Sequence, residues 1–451
     1  MRILEIAIRK MNLSAQKEQV FRNLFWSVIG KITTLAGSLL VGIIIARYLG
    51  PEKYGLMNYV TSFVALFQIL ALFGLDNIEI REEAKEKFEY QVIIGSAFSI
   101  KLVLAVLSIA ASIITAFLMG TDMYTIILIA IFSLSMIANT FSVCRNYFMA
   151  IVQNEYVVKS EVLRTMLGVA IKIMLLLLHA DLLWFIIATM IDYYILAFGY
   201  ITAYRKKIGM LRLWHFNKDC AFYLMKESFP LLITSAAVII YQRIDQVMIG
   251  SMIGKEDVGY FSVASRIVEI LIYIPTIIVQ TIIPVLTKIR VSSEQEYKEK
   301  SQKFMNLTIW CTFVGSIMTS ILAHWIVQIL FGEQYLVASA VLSILAFKAT
   351  FVAISSTAGN IIVLEGKQKY VIFRDLLGCI ICIGMNYYLL PKYGILGSAV
   401  ITLISNLVAG YLSDLMIPAY RKIFFMQTQA IFLGWKDMLM FVKFKKGEKW
   451  F

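Results

Sequence analysis

"ARYLGPEKYG" (Ala46–Gly55) closes one long apolar run and opens another, and 204 residues later "GSMIGKEDVG" (Gly250–Gly259) does the same. Gly50 and Gly55 fall in register with Gly254 and Gly259, and Glu52 with Glu256. In each stretch one apolar helix ends, a glycine-bounded turn follows and the next helix begins. A second echo supports the first: "YVVKSEVL" at 156–163 and "YVIFRDLL" at 370–377 share Tyr-Val, an acid and a Leu in register, at an offset of 214. Two echoes at nearly equal offsets predict a chain built of two similar halves.

The composition places those halves in a membrane. Of 451 residues 60% are hydrophobic and 16% charged, whereas soluble domains carry about 25% charged residues. A helix of about 20 apolar residues crosses a hydrocarbon core of about 30 Å. Twelve such spans are predicted: 24–46, 54–74, 91–118, 124–144, 165–180, 182–203, 228–252, 258–287, 305–331, 335–363, 375–390 and 394–417. Their apolar runs are continuous and far longer than the 9–11 alternating residues of a barrel strand, so the expected class is all-α and polytopic. The first run is full length and ends without a small-residue cleavage site, so it is expected to remain as helix 1. The predicted organisation is a six-helix bundle over 1–210, a second over 211–417, and a basic amphipathic tail over 418–451 that lies on the inner interface. Both repeats begin on the same side, which makes them parallel repeats about an axis along the membrane normal.

Basic residues orient the chain. Alternate connecting segments, the termini among them, hold 32 Lys and Arg against 4 in the others. The positive-inside rule then puts both termini in the cytoplasm. This asymmetry accounts for most of the net charge of +13, so a nucleic-acid partner is not expected. The outer connections are a few residues long and the inner ones reach about 25, too short for a globular catalytic domain. No phosphate loop is present; Gly254-Lys255 is followed by Glu256 in an outer turn. Neither a cofactor nor a metal site is expected, and the "GCIICIG" cysteines Cys379 and Cys382 read as small apolar packing groups.

Charge inside the spans carries the functional signal. Six bases (Lys31, Lys101, Lys172, Arg243, Arg266 and Lys348) face three acids (Asp192, Asp245 and Glu269). A base facing lipid at mid-depth costs about 2.5–3.5 kcal/mol, so most must meet water or a partner. Lys101 is close enough to the inner end to snorkel. Arg266 and Glu269 are spaced for a pair on one helix face. Lys31, Lys172 and Lys348 have no acid within one turn and point to a hydrated cavity. Arg243 and Arg266 fall in the outer half and Lys31 in the inner half, a cationic path that suits an anion. His324, beside Trp325, is weighed as a proton carrier against plain packing.

The corner "RYLGPEKYG", the preceding "NLFWSVIGKITTLAGSLLVGIIIA" and the repeated "GKEDVGYFSVASRI" resemble the polysaccharide-type flippases of the multidrug/oligosaccharidyl-lipid/polysaccharide exporter superfamily. The resemblance implies that undecaprenyl-pyrophosphate-linked oligosaccharide, the repeat unit of O-antigen, capsule or exopolysaccharide, moves from the inner to the outer leaflet of the bacterial cytoplasmic membrane by alternating access. It implies Lys31, Arg243 and Arg266, with Lys172 and Lys348, as substrate-binding residues. Asp245 and Glu269 are candidates for coupling to a proton or sodium ion, and a polysaccharide polymerase or chain-length machinery for partnership. A cation-coupled multidrug exporter of the same superfamily is the alternative; a surplus of bases disfavours it.

Overall fold

A computed structural model describes residues 15–85 and 88–442, with side-chain surroundings from residue 37 to residue 439 outside the gap. Helices account for nearly all of it, and no strand occurs among the described residues. The first half runs through α1 (Ala15–Leu72), α2 (Leu75–Lys85), α3 (Tyr90–Leu118), α4 (Met123–Ser133), α5 (Ser135–Asn139), α6 (Ser142–Ala150), α7 (Asn154–Leu177) and α8 (Leu182–Lys207). The second runs through α9 (Lys218–Met252), α10 (Lys255–Ser292), α11 (Glu294–Phe331), α12 (Val337–Leu345), α13 (Lys348–Leu364), α14 (Val371–Leu407), a π-helical turn at Val408–Leu412 and α15 (Ser413–Met416). The tail adds α16 (Arg421–Leu433) and α17 (Trp435–Val442).

Nine described segments are long and apolar enough to cross a membrane, and two of them, Gly37–Lys85 and Gln368–Met416, hold 49 residues each. A straight helix of that length would measure about 74 Å, more than twice the hydrocarbon thickness. Each is broken by a glycine with non-helical angles, Gly50 (φ 75°) and Gly394 (φ 59°), and so holds two crossings. Positive φ at these points is open to glycine at little cost. The 24-residue α7 carries Lys159, Glu161, Arg164 and Lys172 and is too polar to join the nine, yet it packs along α8. The total is about twelve crossings. Phe117, Leu118 and Ile321 are each more than 70% exposed, as lipid-facing side chains are in a polytopic membrane protein.

Folding ends are set locally. Asp122 accepts from the Thr125 amide at 2.8 Å at the head of α4, Ser293 from that of Glu296 at the head of α11, and Asn217 from that of Cys220 at the head of α9. Gly120, with φ 68°, turns the chain out of α3.

The chain forms two compact units, Met1–Tyr48 with Val60–Ile239, and Leu49–Tyr59 with Ile240–Phe451. The division expected after residue 210 counts helices per repeat; the packing division falls 29 residues later. The reason is visible in the first unit's core, where Cys220, Ala221 and Leu224 pack with Ile93, Ala97, Phe148 and Tyr204. Arg81 binds Glu227 at 2.7 Å, and Ser96 exchanges hydrogen bonds with the backbone of Asn217. The core of the second unit joins Met305 and Ile309 to Ile354, Ala358 and Ile361, and to Tyr420, Ile423 and Ala430 of the tail. The tail is thus seated on α11 through one face. Trp310 Nε1 donates to the Ala430 carbonyl at 2.9 Å, Gln302 to that of Met426 at 3.0 Å, and Asn306 to Asp437 at 2.5 Å.

The first corner, Leu49–Tyr59, belongs to the second unit because the two repeated corners pack on each other. A Cβ on Gly55 would lie 1.7 Å from the Lys255 carbonyl oxygen, and one on Gly259 2.1 Å from that of Pro51. Backbone meets backbone here, and only glycine leaves the space. The Lys255 ammonium donates to the Gly250 carbonyl at 2.8 Å and sits over the Tyr59 ring. Gly55→Ala and Gly259→Ala should each lower the thermal stability of the purified protein. Gly315→Ala, where an added Cβ meets nothing within 4 Å, should stay within about 1 kcal/mol of wild type or improve on it. Equal melting curves for all three would show that the corners separate readily.

Lys101 does not snorkel. It is fully buried and lies 2.7 Å from Asp76 Oδ1 and 2.6 Å from Glu79 Oε1, and donates to Ser142 at 3.1 Å. Asn146 donates to both acids at 2.9 and 2.7 Å, and Arg145 to Asp76 Oδ2 at 2.8 Å. Two cations therefore balance two carboxylates across three helices, α2, α3 and α6. Removing one partner of such a buried pair costs about 3–5 kcal/mol, because the other charge is left uncompensated. Lys101→Met should accordingly reduce membrane levels and the melting temperature; an unchanged melting curve would mean that water reaches Asp76 and Glu79.

Candidate functional site

The remaining intramembrane charges divide by unit. In the first, Lys172 on α7 is ion-paired with Asp192 on the neighbouring α8. Gly168, one turn before Lys172, makes room for that carboxylate: a Cβ there would lie 2.3 Å from Asp192 Oδ1. The expectation of an unpaired Lys172 in a hydrated cavity is corrected, because the acid comes from the next helix rather than from the same one. Lys31 lies on α1, but its side chain is outside the described residues.

The first unit does hold a cavity of about 740 Å³. Its polar wall is Asp76, Asn77, Arg145, Asn154, Glu161 and Arg164, and its apolar wall includes Ile69, Met149 and Val157. Asn154, Val157, Val158, Glu161 and Arg164 recur at three- and four-residue steps, so one face of α7 forms much of the lining. Arg145 and Arg164 fall just outside the predicted apolar spans: Arg145 is one residue past the span that ends at 144, on α6, and Arg164 one residue before the span from 165, on an α7 that starts eleven residues earlier, at Asn154.

In the second unit Asp245, on α9, is 3% exposed and is held by neutral groups. Asn386 Nδ2 donates to it at 2.8 Å, Thr402 Oγ1 at 2.9 Å and Cys382 Sγ at 3.2 Å. All three come from α14, from either side of the Gly394 break. Lys348 is the nearby cation that acts on Asp245. The Asn386 Oδ1 atom is buried with no hydrogen-bond partner among the described residues, leaving a second acceptor oxygen beside the carboxylate. Cys382 thus does more than fill space: it is one of the donors that hold Asp245. Neutral polar residues inside apolar helices were the available signal, and Asn386 and Thr402 were missed because only charges were weighed.

Arg243 precedes Asp245 by two residues, is half-buried and makes no ion pair among the described residues. Arg266 is half-buried on α10, whereas Glu269 is exposed. His324 is exposed and edge-on to Trp325, with ring centroids 5.9 Å apart.

Arg374 is buried at the head of α14 and lies 3.4 Å from Asp414. Its Nε donates to the Ala409 carbonyl at 3.1 Å, while Gln427 of the tail donates to that of Gly410 at 2.8 Å. The π-helical turn that carries both carbonyls leaves them outside the usual helical ladder. Nearby, Trp310, Phe313, Phe347, Phe351, Tyr411 and Phe432 line an apolar cavity of about 370 Å³.

Comparison with known proteins agrees with this architecture. The capsular polysaccharide biosynthesis protein CapF of Staphylococcus aureus is 24% identical over 410 residues, 86% of this chain and 96% of that protein. Among solved structures, the lipid II flippase MurJ in its inward closed conformation superposes with a TM-score of 0.73 at 15% identity, covering 95% of this chain and 94% of that one. An inward-facing multidrug resistance MATE family transporter of the MOP superfamily gives 0.67 at 16% identity, over 88% and 95%. At such identities the likeness shows the fold, which is that of the MOP transporters. The family described as "Polysaccharide biosynthesis protein" matches residues 20–290, more than half of the sequence, and with the architecture above it places this chain in that family.

Proposed function

We propose that the protein is a flippase that carries undecaprenyl-pyrophosphate-linked oligosaccharide repeat units of a surface polysaccharide from the inner to the outer leaflet of the bacterial cytoplasmic membrane. One observation carries the reading: a member of a polysaccharide biosynthesis family has the fold of a transporter. Its part in the pathway is then movement of a precursor rather than bond making, and the short loops agree. Both termini face the cytoplasm in this reading, and polymerase or chain-length proteins act on the product outside.

A pyrophosphate is a compact multiple anion and needs fixed cations when it leaves water. Arg243 suits that role, since a half-buried guanidinium with no ion pair among the described residues retains its donors for a ligand. Arg266, Lys348 and Lys31 are assigned to the same path, whereas Lys172 serves structure through Asp192. The polyprenyl chain stays in lipid. The drive comes from an ion: Asp245, held by donors from the Thr402 hydroxyl and the Asn386 amide nitrogen, with the Asn386 oxygen left without a partner among the described residues, offers a proton or a sodium ion a charged acceptor with neutral partners. Glu269, exposed, lacks such a setting.

Arg243→Ala in a strain lacking the chromosomal copy should leave lipid-linked repeat units on the inner leaflet and remove surface polysaccharide at wild-type membrane levels of the protein. Normal outward exposure in the null strain itself would overturn the flippase reading and favour a drug exporter. Asp245→Asn keeps the volume but removes the charge. In proteoliposomes it should slow ion-driven transport by at least about tenfold while leaving lipid-linked substrate bound; gradient-dependent transport at the wild-type rate would exclude Asp245 as the coupling group.

A further inference from the structure

The cavity of the first unit has a chemistry different from that expected of a pyrophosphate site. Its charged lining is Arg145 and Arg164 against Asp76 and Glu161, a balanced set. A balanced set gives no net attraction for a multiple anion. Two guanidinium groups, two carboxylates and the amides of Asn77 and Asn154 instead present both donors and acceptors in planar, fixed arrays. Adjacent hydroxyl groups, each donor and acceptor at once, match such arrays. About 740 Å³ falls within the roughly 300–1,000 Å³ typical of small-molecule sites and accommodates more than one sugar ring.

The lining groups are not equally available. Asp76 already accepts from Lys101, Asn146 and Arg145, and Arg145 also donates to Asn146. That side is a fixed wall. On the α7 side, Arg164 makes no hydrogen bond to a described residue, and Asn154 Oδ1 is buried with no partner. Glu161 lies one turn from Arg164, within electrostatic reach of both arginines, and accepts from the Tyr200 hydroxyl, which leaves further lone pairs of the carboxylate to accept from a ligand. A buried amide oxygen without a partner costs free energy unless a ligand or water supplies a donor. The groups with capacity for a ligand are thus one guanidinium, one amide oxygen and the carboxylate lone pairs that Tyr200 does not use, on a single helix face.

We infer that this cavity is a saccharide-binding site of the first unit, in which Asn154, Glu161 and Arg164 read the hydroxyl pattern of the sugars while the Arg145–Asp76 pair holds the opposite wall. The inference rests on the flippase reading for the identity of its ligand. It adds a division of labour: sugars are recognised on α7, and the pyrophosphate by the cations assigned above.

The test uses the full-length purified protein and two probes, the soluble glycan released by mild acid from the host's own lipid-linked repeat unit, and inorganic pyrophosphate. Glu161→Gln and Arg164→Gln change the open groups and leave the Asp76–Lys101 network intact, and matching melting curves certify their fold. Each should weaken glycan binding by roughly tenfold or more while pyrophosphate binding stays at the wild-type level. Arg243→Ala should do the reverse. Wild-type glycan affinity in both α7 variants, loss of pyrophosphate binding in them, or no glycan binding by the wild-type protein would each overturn the inference. Surface polysaccharide in the null strain reports on the flippase reading separately: its loss there, with unaltered glycan export by both α7 variants, would remove the saccharide site and leave the flippase standing.

Discussion

A charge inside hydrocarbon must find a partner, and this requirement organises the interior. Lys101 meets Asp76 and Glu79, Lys172 meets Asp192, and Arg374 meets Asp414. In every case the partner stands on a different helix, so each pair is also a tie between elements whose apolar surfaces alone would not fix their register. Lipid is as apolar as leucine, so helix association in a membrane leans on such polar ties and on close packing more than on burial. Against this background the exceptions gain meaning. Arg243 lacks an acid among the described residues, and Asp245 is held by neutral donors rather than by a bonded cation.

Features written within one helix or one turn were legible in the sequence. The apolar spans, the Gly50 and Gly254 corners and the Tyr-Val echo at the heads of α7 and α14 all stand where local pattern put them. Pairings across helices were not legible. Asp76 and Glu79 lie 25 and 22 residues before Lys101, and Asp192 lies 20 after Lys172, so a search within one helical turn missed all three. The same locality hid the saccharide candidates. Glu161 and Arg164 precede the apolar core of their helix and looked like loop residues, although α7 starts at Asn154. Cys382, Asn386 and Thr402 are uncharged, and only the fold brings them to Asp245.

The two units share a repeat yet differ in chemistry. The first gathers paired charges around a polar cavity, with its lining drawn from α1, α2, α6, α7 and α9. The second buries one carboxylate among neutral donors and keeps an aromatic-walled cavity. A duplicated scaffold has thus been filled differently on each side, as a transporter requires when one part of a cargo is polar and another is not. The widened π-helical turn belongs to the second unit alone among the described residues; its displaced carbonyls receive Arg374 and the tail's Gln427, which ties the tail to the last crossing.

The crossing of the two corners also sets an order of events during synthesis. The glycine-lined backbone at 50–55 leaves the ribosome some 204 residues before its counterpart at 254–259. At translation rates of about 5–20 residues per second, that interval lasts on the order of 10–40 s. For that time the first corner has no surface to close against, while the first unit on either side of it in sequence is already being laid down. The nascent first unit therefore passes through a stage in which the turn that links its two stretches is held in reserve for a segment not yet made. A protein whose halves were joined in the opposite order would keep every helix and leave the other corner waiting instead.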